Sequence, residues 1–333
     1  MKIFVYGAGA FALALGSVLN NNGHDVTFFC RDSKRCAELN STHVDNKYFN
    51  GLKLDEKLNF VDSIDGISNY NILILGIPSK SLKETIEELN KHLLNKKVLI
   101  ISATKGLEPS TNSTVLEFLR KTLNPKIDYE LTAILGPGFA KNIIKKDLTC
   151  VNAVSKNLKA AIYVQNLFSN EYFRVYAMDD EIGAEYSSSI KNAIAIGSGI
   201  LYGIGYKENA RSALITRGLT ELVRFGTYFG AKKDTFFGLT GIGDLMLTCS
   251  SKESRNFSFG EEIGKSNDAI SVIKNNKKTV EGLNAIKVIN ALAQINNIDM
   301  PIVNSLYKIL YEGVKPSTIA KDIMTRPLRV EVI

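Results

Sequence analysis

The chain has 333 residues, of which 45% are apolar and 23% are charged, a balance typical of globular domains that excludes a generally disordered protein. A chain of this length exceeds what one hydrophobic core usually organises, so we expect two domains. The formal net charge is +7, but the lysines and arginines form no basic run or arm, which argues against a nucleic-acid-binding protein.

Short apolar runs alternate with helical patterns over the first half of the chain. The runs are nearly free of charge, as strands covered on both faces of a parallel sheet should be. Between two of them, Leu82, Ile86 and Leu89 share one stripe of an amphipathic helix. We therefore predict a Rossmann-type, doubly wound α/β domain, with strands at residues 3–6, 26–29, 71–76, 98–102, 131–135 and 173–177 and helices at residues 10–21 and 81–94.

The second half of the chain has a different pattern. It holds long helical patterns at residues 182–202, 213–228 and 280–295 and no convincing series of strands. We place the boundary near residues 179–180, and predict an α/β domain over residues 1–180 and a mainly α-helical domain over residues 181–333. Residues 326–333 are expected to form a loosely held tail.

The N-terminal stretch superficially resembles a secretory signal, with Lys2 followed by apolar residues. Gly7 and Gly9 interrupt it where a strand would turn into a helix, so we expect the protein to stay in the cytoplasm. No other segment reaches the roughly 18 to 20 uninterrupted apolar residues that a membrane span needs. The cysteines form no CxxC pair, which fits a reducing compartment.

A glycine-rich motif, GAGAFA at residues 7–12, follows the first predicted strand and opens the first predicted helix. In the G-x-G-x-x-[G/A] fingerprint, Gly7 permits a tight turn and Gly9 lets the backbone approach a pyrophosphate. The small Ala12 lets the helix pack on the strand, and the helix N-terminus attracts the anion. Such a motif alone occurs in ordinary turns, but its strand–turn–helix context predicts a dinucleotide-binding site.

The choice between NAD and NADP depends on the end of the second strand, where an NAD site usually has an acidic residue. Here Arg31 comes first, followed by Asp32, and Arg35 lies close behind. Arg31 could hold the 2′-phosphate of NADP, or it could be a solvated arginine at a strand end. We favour NADP without excluding NAD.

The residue types point to lysine as the acid–base group. All three histidines lie in the first 92 residues, none at a strand end in the predicted cofactor crevice, and no His/Cys/Asp cluster has metal-ligand spacing. Lys105 follows the strand predicted at 98–102, at the edge where open α/β sheets bind ligands. Lys191 sits among small and polar residues in an otherwise apolar helix. Each could instead be an ordinary surface lysine.

Several longer motifs lie along the chain. The most specific are GIGDL at residues 241–245 and SRN at 254–256, which follow the arginine-containing segment 209–219. The others are ATKGLE at 103–108, GPGFA at 136–140 and IKNAIAIG at 190–197. Together with the glycine-rich fingerprint they make the chain resemble the bacterial NAD(P)-dependent glycerol-3-phosphate dehydrogenases over nearly its whole length.

This resemblance implies roles for individual residues. Lys191 corresponds to the family's proton acceptor, and Lys105 to a lysine that contacts both substrate and cofactor; Asp244 is expected to act with them in catalysis. The implied substrate-binding residues are Lys105, Gly136, Gly138, Lys191, Asp244, Ser254, Arg255 and Asn256. The implied cofactor-binding residues are Gly7, Gly9, Ala10, Phe11, Ala12, Arg31, Lys105, Ala140, Arg255, Thr279 and Glu281. No metal is implied.

The chemistry of these residues agrees with the implied roles. Arg255 offers a fork of donors suited to a phosphate. Lys105 near Lys191 would disfavour protonation of both amines, which would leave one available as a base. Arg211 and Arg217 could contact ligand or simply cover apolar surface.

The chain departs from the family pattern in three places. Gly138 stands where serine or threonine is usual, and Asn142 replaces an expected glutamate. Residues 187–189 are serines in place of a more apolar, glycine-containing stretch. We expect these departures to affect affinity and not the reaction.

The resemblance implies an enzyme that interconverts sn-glycerol 3-phosphate and dihydroxyacetone phosphate with NAD(P)H, for glycerophospholipid synthesis. A second hypothesis is another two-domain dehydrogenase that acts on a β-hydroxy acid, which would need a carboxylate-binding pattern in place of residues 254–256. A third is a dinucleotide-sensing regulator, although the chain has no DNA-reading helix pair. The expected partner is a small phosphorylated substrate, with no nucleic acid and no membrane insertion, and we expect a homodimer.

Overall fold

The computed structural model describes residues 1–318, 325 and 330. The predicted loose tail, residues 326–333, lies outside the described residues except for Val330. The chain divides into two compact units, Met1–Glu181 and Ile182–Ile333. Each is described separately below.

The N-terminal unit is built on an eight-stranded sheet with the order β10-β9-β8-β7-β6-β1-β2-β5. A short antiparallel hairpin, β3 with β4, lies outside that sheet. The strands are β1 (Lys2–Tyr6), β2 (Asp25–Phe29), β3 (Val44–Asp45), β4 (Leu52–Lys53), β5 (Asn59–Val61), β6 (Ile72–Leu75), β7 (Lys97–Ser102), β8 (Asp128–Leu135), β9 (Thr149–Val154) and β10 (Phe173–Met178). The helices are α1 (Ala10–Asn21), α2 (Ser33–Thr42), α3 (Leu82–His92), α4 (Val115–Thr122), α5 (Ala140–Ile143) and α6 (Leu158–Phe168). The predicted Rossmann-type fold is confirmed.

The strand directions explain where ligands can approach this sheet. From β5 to β8 all neighbours run parallel, so the loops after β1, β2, β6, β7 and β8 share one edge. β9 runs antiparallel to β8, and β10 pairs parallel with β9. The order reverses at β1, which has β2 on one side and β6 on the other. In open α/β sheets the crevice at such a reversal is where ligands bind.

Small residues let α1 sit close to the sheet. A methyl group on Gly16 would lie 2.1 Å from Cζ of the buried Phe28, and one on Gly76 would lie 2.5 Å from Cβ of Ala12. Both distances are shorter than any real contact between carbon atoms. The third small residue of the fingerprint, Ala12, is therefore needed for packing, as the sequence indicated.

The C-terminal unit is helical. Its helices are α7 (Glu181–Ile204, whose first residue closes the N-terminal unit), α8 (Glu208–Tyr228), α9 (Asp244–Ser250), α10 (Arg255–Ser266), α11 (Ala269–Asn275), α12 (Glu281–Ile295) and α13 (Pro301–Tyr311). The prediction that the second half is mainly α-helical is confirmed. None of the helices in the described part of the chain combines the length and apolar character needed to cross a membrane.

Glycines bring α7 and α10 into backbone contact. A methyl group on Gly199 would lie 2.1 Å from the Phe257 carbonyl oxygen, and one on Gly260 would lie 2.1 Å from the Ile196 carbonyl oxygen. The pattern continues at Gly264, where a methyl group would lie 2.3 Å from the Ile200 carbonyl oxygen. This close packing fixes the start of α10 beside α7, the helix that carries Lys191.

Candidate active site

The glycine-rich turn leaves β1 and enters α1. Gly7 has φ +111°, and a methyl group there would lie 2.7 Å from the Gly76 carbonyl oxygen, so only glycine fits. Gly9 is the N-cap of α1, with no side-chain cap and no acidic residue in the first turn. An uncapped helix N-terminus with glycine on its approach is suited to an anion such as a pyrophosphate.

An arginine anchors this turn from the side. Arg35 Nη1 donates to the Ala8 carbonyl oxygen at 2.8 Å, and its Nη2 pairs with Asp45 Oδ2 at 2.7 Å. The guanidinium carbon also lies 4.8 Å from the centre of the Tyr48 ring. Asp45 is buried and accepts from the backbone N–H groups of Tyr48 and Phe49. The segment around β3 is thus fastened to the glycine-rich turn.

Arg31, the predicted cofactor contact at the end of β2, lies at the surface. Its side chain is 64% exposed, and Nη2 lies 3.4 Å from Glu84 Oε2 on α3. The guanidinium is therefore accessible to a ligand, but a carboxylate already stands beside it.

Lys105, in the loop after β7, lies against two other predicted site residues. Its Nζ is 5.1 Å from the centre of the Phe11 ring at the start of α1. The same Nζ donates to the Gly136 carbonyl oxygen at 3.4 Å. The structure thus brings Lys105, Phe11 and Gly136 together at the sheet edge where β1, β7 and β8 end.

The loop that carries Lys105 is held by one buried carboxylate. Glu108 Oε2 accepts four hydrogen bonds, from the N–H and hydroxyl groups of Ser110 and Thr111, at 2.7 to 2.9 Å. Burial alone would raise the pKa of Glu108, but these hydrogen bonds outweigh it and hold the pKa below its usual value.

Glycines shape the loop after β8. Gly136 has φ +136°, and a methyl group there would lie 3.1 Å from the Val151 Cα atom. At Gly138 a methyl group would lie 3.1 Å from Ile143 Cδ1. Gly138 thus occupies a tight place in which this chain lacks the hydroxyl that its resemblance led us to expect. Ala140 opens α5 immediately afterwards.

In the C-terminal unit, Lys191 on α7 forms a buried ion pair with Asp244 at the start of α9. Lys191 Nζ lies 2.5 Å from Asp244 Oδ2, and the two side chains are 4% and 2% exposed. The amine also donates to Thr248 Oγ1 at 3.2 Å, and that hydroxyl donates to the Asp244 carbonyl oxygen at 2.6 Å. Asp244 and Thr248 thus fix the position of the Lys191 amine.

A polar network lies one residue further along α7. Asn256 Nδ2 donates to Asn192 Oδ1 at 2.9 Å, and Asn256 Oδ1 accepts from the Gly282 N–H at 2.9 Å. Arg255 Nη2 lies 3.0 Å from Glu281 Oε1, and Asn192 Nδ2 donates to Glu281 Oε2 at 3.4 Å. Arg255 and Asn256, adjacent in the chain, therefore meet Glu281 and Asn192, the residue that follows Lys191 on α7.

Two predicted residues hold other positions. The Ser254 hydroxyl caps α10 by accepting from the Phe257 N–H at 3.2 Å. Thr279 is exposed two residues before α12. Lys105 and Lys191 belong to different units, so the predicted influence of one amine on the other stays a prediction.

Sequence reasoning missed Asn192, Thr248 and Asp45. Asn192 directly follows the lysine, and Thr248 lies four residues after Asp244 on the same helix face, so spacing could have indicated both. Asp45 had no such signal. Within the described ranges, no group of three or more His, Cys, Asp or Glu side chains could hold a metal ion.

Comparisons with known proteins agree over the whole chain. Residues 2–161 match the family model of the NAD-dependent glycerol-3-phosphate dehydrogenase N-terminus, and residues 180–321 match that of its C-terminus. The chain is 40% identical to the glycerol-3-phosphate dehydrogenase [NAD(P)+] of Limosilactobacillus reuteri, covering 99% of this chain and 98% of that protein. It is 39% identical to the Staphylococcus aureus protein of the same name, with 99% of each covered.

A solved structure shows the same fold. The crystal structure of glycerol-3-phosphate dehydrogenase from Coxiella burnetii superimposes with a TM-score of 0.90 at 31% sequence identity. The match covers 98% of this chain and 99% of that one.

Proposed function

The chain belongs to the NAD-dependent glycerol-3-phosphate dehydrogenase family, and on this basis we propose that it interconverts dihydroxyacetone phosphate and sn-glycerol 3-phosphate with NADH or NADPH. In the reducing direction a hydride adds to the ketone carbon and a proton adds to its oxygen. The observation that carries the proposal is the buried Lys191–Asp244 ion pair on the helix whose next residue, Asn192, binds Asn256, because it combines a proton donor with groups that bind phosphate.

Lys191 is the proposed proton donor and acceptor. The nicotinamide, when bound, supplies or takes the hydride. As negative charge develops on the ketone oxygen, the Lys191 ammonium stabilises it and delivers the proton. Asp244 and Thr248 hold the amine in one place, which keeps the reacting atoms aligned. In the oxidising direction the neutral amine accepts the hydroxyl proton.

The phosphate end of the substrate is the proposed ligand of Arg255, Asn256 and Ser254. The Arg255 guanidinium offers two parallel N–H groups to a phosphate, and the start of α10 adds the positive end of a helix dipole. We propose that Lys105 contacts both substrate and cofactor, with Gly136 and Gly138 lining the substrate. The closeness of Lys105 to Gly136 supports this assignment.

The glycine-rich turn is the proposed site of the cofactor pyrophosphate, since Gly7 and Gly9 leave the space that its approach needs. Ala10, Phe11 and Ala140 are proposed to line the cofactor, while the buried Ala12 supports the turn by packing on the sheet. Arg255, Thr279 and Glu281 are further proposed cofactor contacts. Arg31 is the proposed partner of a 2′-phosphate, which would favour NADP. The exposed guanidinium supports this preference, and the ratio of kcat/KM values for NADPH and NADH measures it.

The decisive experiment follows NADPH or NADH oxidation with dihydroxyacetone phosphate as substrate. Lys191→Ala should lower kcat by about 10²- to 10⁴-fold, the usual worth of acid–base catalysis, while dinucleotide binding persists. Lys287→Ala, which removes an exposed lysine from α12, is the matched control. Unchanged turnover in Lys191→Ala would remove the lysine from this role. Activity only with β-hydroxy acids would favour the second hypothesis.

We further propose that residues 1–180 bind the cofactor and residues 181–333 supply the substrate site. A cytoplasmic homodimer is the proposed state of the protein. Two neighbouring apolar side chains support self-association: Tyr228 is 55% exposed and Ile295 77%, and the Tyr228 hydroxyl donates to Asn296. Sedimentation equilibrium and cell fractionation test these two statements.

A further inference from the structure

Arg211 is a cation that has no acidic partner in the part of the chain that the structure describes. It lies in the first turn of α8, and its guanidinium carbon is 5.5 Å from the centre of the Tyr202 ring and 5.8 Å from that of the Phe257 ring. Its Nε is buried and has no hydrogen-bond partner. Among the described residues no carboxylate pairs with it. A guanidinium carries five donors and a permanent charge, so in this position it is suited to an anion.

The surroundings of Arg211 belong to the region of the proposed substrate site. The Arg211 guanidinium lies by the ring of Phe257, which is two residues after Arg255. The Phe257 N–H donates to the Ser254 hydroxyl. Cys249 directly follows Thr248. Burial raises the pKa of its thiol, while the charges of Lys191 and then Arg211 oppose the rise. Lys191 and Arg211 therefore both act on this buried thiol.

The balance of charges around Arg211 indicates which anion its guanidinium binds. A phosphate monoester carries about −1.5 to −2 charges at neutral pH. Arg255 is already paired with Glu281 at 3.0 Å, so this ion pair offsets the charge that Arg255 could offer. Arg211 brings a positive charge that no described carboxylate offsets. Lys252 Nζ lies 5.2 Å from the centre of the same Tyr202 ring, but Glu261 stands 4.0 Å from it and offsets its charge.

We propose that Arg211 is a second guanidinium for the substrate phosphate and that it sets the preference for phosphorylated over unphosphorylated ketones. The inference rests on the proposed function and assigns a further binding residue to that site. The guanidinium lies against the Tyr202 and Phe257 rings, and such contacts limit its freedom before the phosphate binds.

The test compares two ketones in one variant. Arg211→Met keeps an unbranched side chain beside the two rings but removes the charge and the donors. Hydrogen bonds from a charged group are worth about a 10- to 100-fold change in binding. We expect kcat/KM for dihydroxyacetone phosphate to fall by about that factor, while kcat/KM for dihydroxyacetone stays unchanged. Lys207→Met removes one charge from the exposed residue before α8 and should leave both values unchanged.

Two further measurements separate this inference from the proposed function. Stabilisation of the protein against heat by inorganic phosphate needs no turnover, and we expect it to weaken in Arg211→Met and to persist in Lys207→Met. If the wild-type protein does not reduce dihydroxyacetone phosphate, the proposed function fails, and the phosphate measurement alone decides on Arg211. Arg211→Lys, which keeps the charge, should recover part of the preference for the phosphorylated ketone.

Several results would overturn the inference. If kcat/KM in Arg211→Met fell equally for the two ketones, Arg211 would serve the fold alone. An unchanged kcat/KM for dihydroxyacetone phosphate in a folded Arg211→Met variant would exclude contact with the substrate phosphate, even if inorganic phosphate no longer stabilised the protein. A failure of Arg211→Lys to restore any preference would also count against it.

Discussion

The ion pair between Lys191 and Asp244 makes a prediction that can be tested without measuring catalysis. Both side chains are almost fully buried, and Nζ and Oδ2 are 2.5 Å apart. Removing one member of a buried pair leaves an uncompensated charge and costs about 3–5 kcal/mol, whereas replacing both by apolar groups costs far less. We therefore predict that Lys191→Met and Asp244→Leu each destabilise the protein strongly and that the double variant recovers much of the loss.

The expected fall in melting temperature follows from the length of the helical unit. For a unit of about 150 residues, each kcal/mol lowers the melting temperature by about 2–4 °C, so each single variant should lose about 6–20 °C. The double variant should be more stable than the sum of the single losses predicts. Thr248 Oγ1 contacts both Lys191 and Asp244, so the coupling energy of the cycle includes these hydrogen bonds together with the side-chain pair.

Unfolding in urea, followed by tyrosine fluorescence because the chain has no tryptophan, gives the free energies. A coupling energy near zero, with the two single losses simply adding, would refute the conclusion that the pair is a mutually compensating buried unit. Small single losses, below about 1 kcal/mol, would be the behaviour of an exposed pair and would equally contradict the burial on which the proposed proton transfer depends.

Three other changes test the remaining parts of the structure. Glu108→Gln should lower the free energy of unfolding by about 1.5–3 kcal/mol at neutral pH. Because the pKa of Glu108 is lower in the folded protein than in the unfolded chain, its carboxylate stabilises the fold fully above the unfolded pKa. This stabilisation is lost as the pH falls through the folded pKa. The urea midpoint of Glu108→Gln should therefore depend less on pH in this range than that of the wild type. Gly260→Ala would place a methyl group 2.1 Å from the Ile196 carbonyl oxygen and should lower the melting temperature, since overpacking costs about 1–3 kcal/mol; an unchanged melting temperature would contradict the backbone contact. Arg35→Met removes the donor to the glycine-rich turn and the partner of Asp45, and should raise KM for NADH and NADPH together by about tenfold or more, with a rise for NADPH alone pointing to a 2′-phosphate contact instead.

The parts of the fold that sequence predicted best are those whose pattern is local. The helix predicted at residues 10–21 matches α1, because glycine marks its start and an asparagine-rich run marks its end. The strands predicted around β1, β6 and β7 are continuous apolar runs that need no partner to be recognised. Local pattern and tertiary environment agree in these segments.

The missed elements lack such a pattern. β9 was not predicted, because Thr149 and Asn152 interrupt its apolar residues, although both are buried in the sheet. The antiparallel direction of β9 could not be predicted from the sequence either, because strand direction depends on the path of the chain between strands. Helix α2 has few apolar residues, and only Cys36 and Leu39 are buried in it. Its start is instead set by Asp32, which caps it.

The candidate site shows the same division. The fingerprint, Lys105 and Lys191 were predicted from motifs, position and resemblance, because each is marked by its immediate neighbours in the chain. Asp45 was not, because its role depends on Arg35, on the preceding helix, pairing with it while also donating to the glycine-rich turn. A residue that acts through a partner on another element carries no local mark, so only coordinates can identify it.

Charge pairing in the helical unit explains why its cations are not equivalent. Lys191 is fully paired by Asp244 within a dry environment, which suits a group that must exchange a proton in one fixed place. Arg255 is more than half exposed and paired with Glu281, which suits a group that binds and releases a ligand at the surface. Arg211 lies beside two aromatic rings, which contact a guanidinium without neutralising it. Our proposal for Arg211 gives a dianionic phosphate this third kind of cation, because the first two already share their charge with carboxylates.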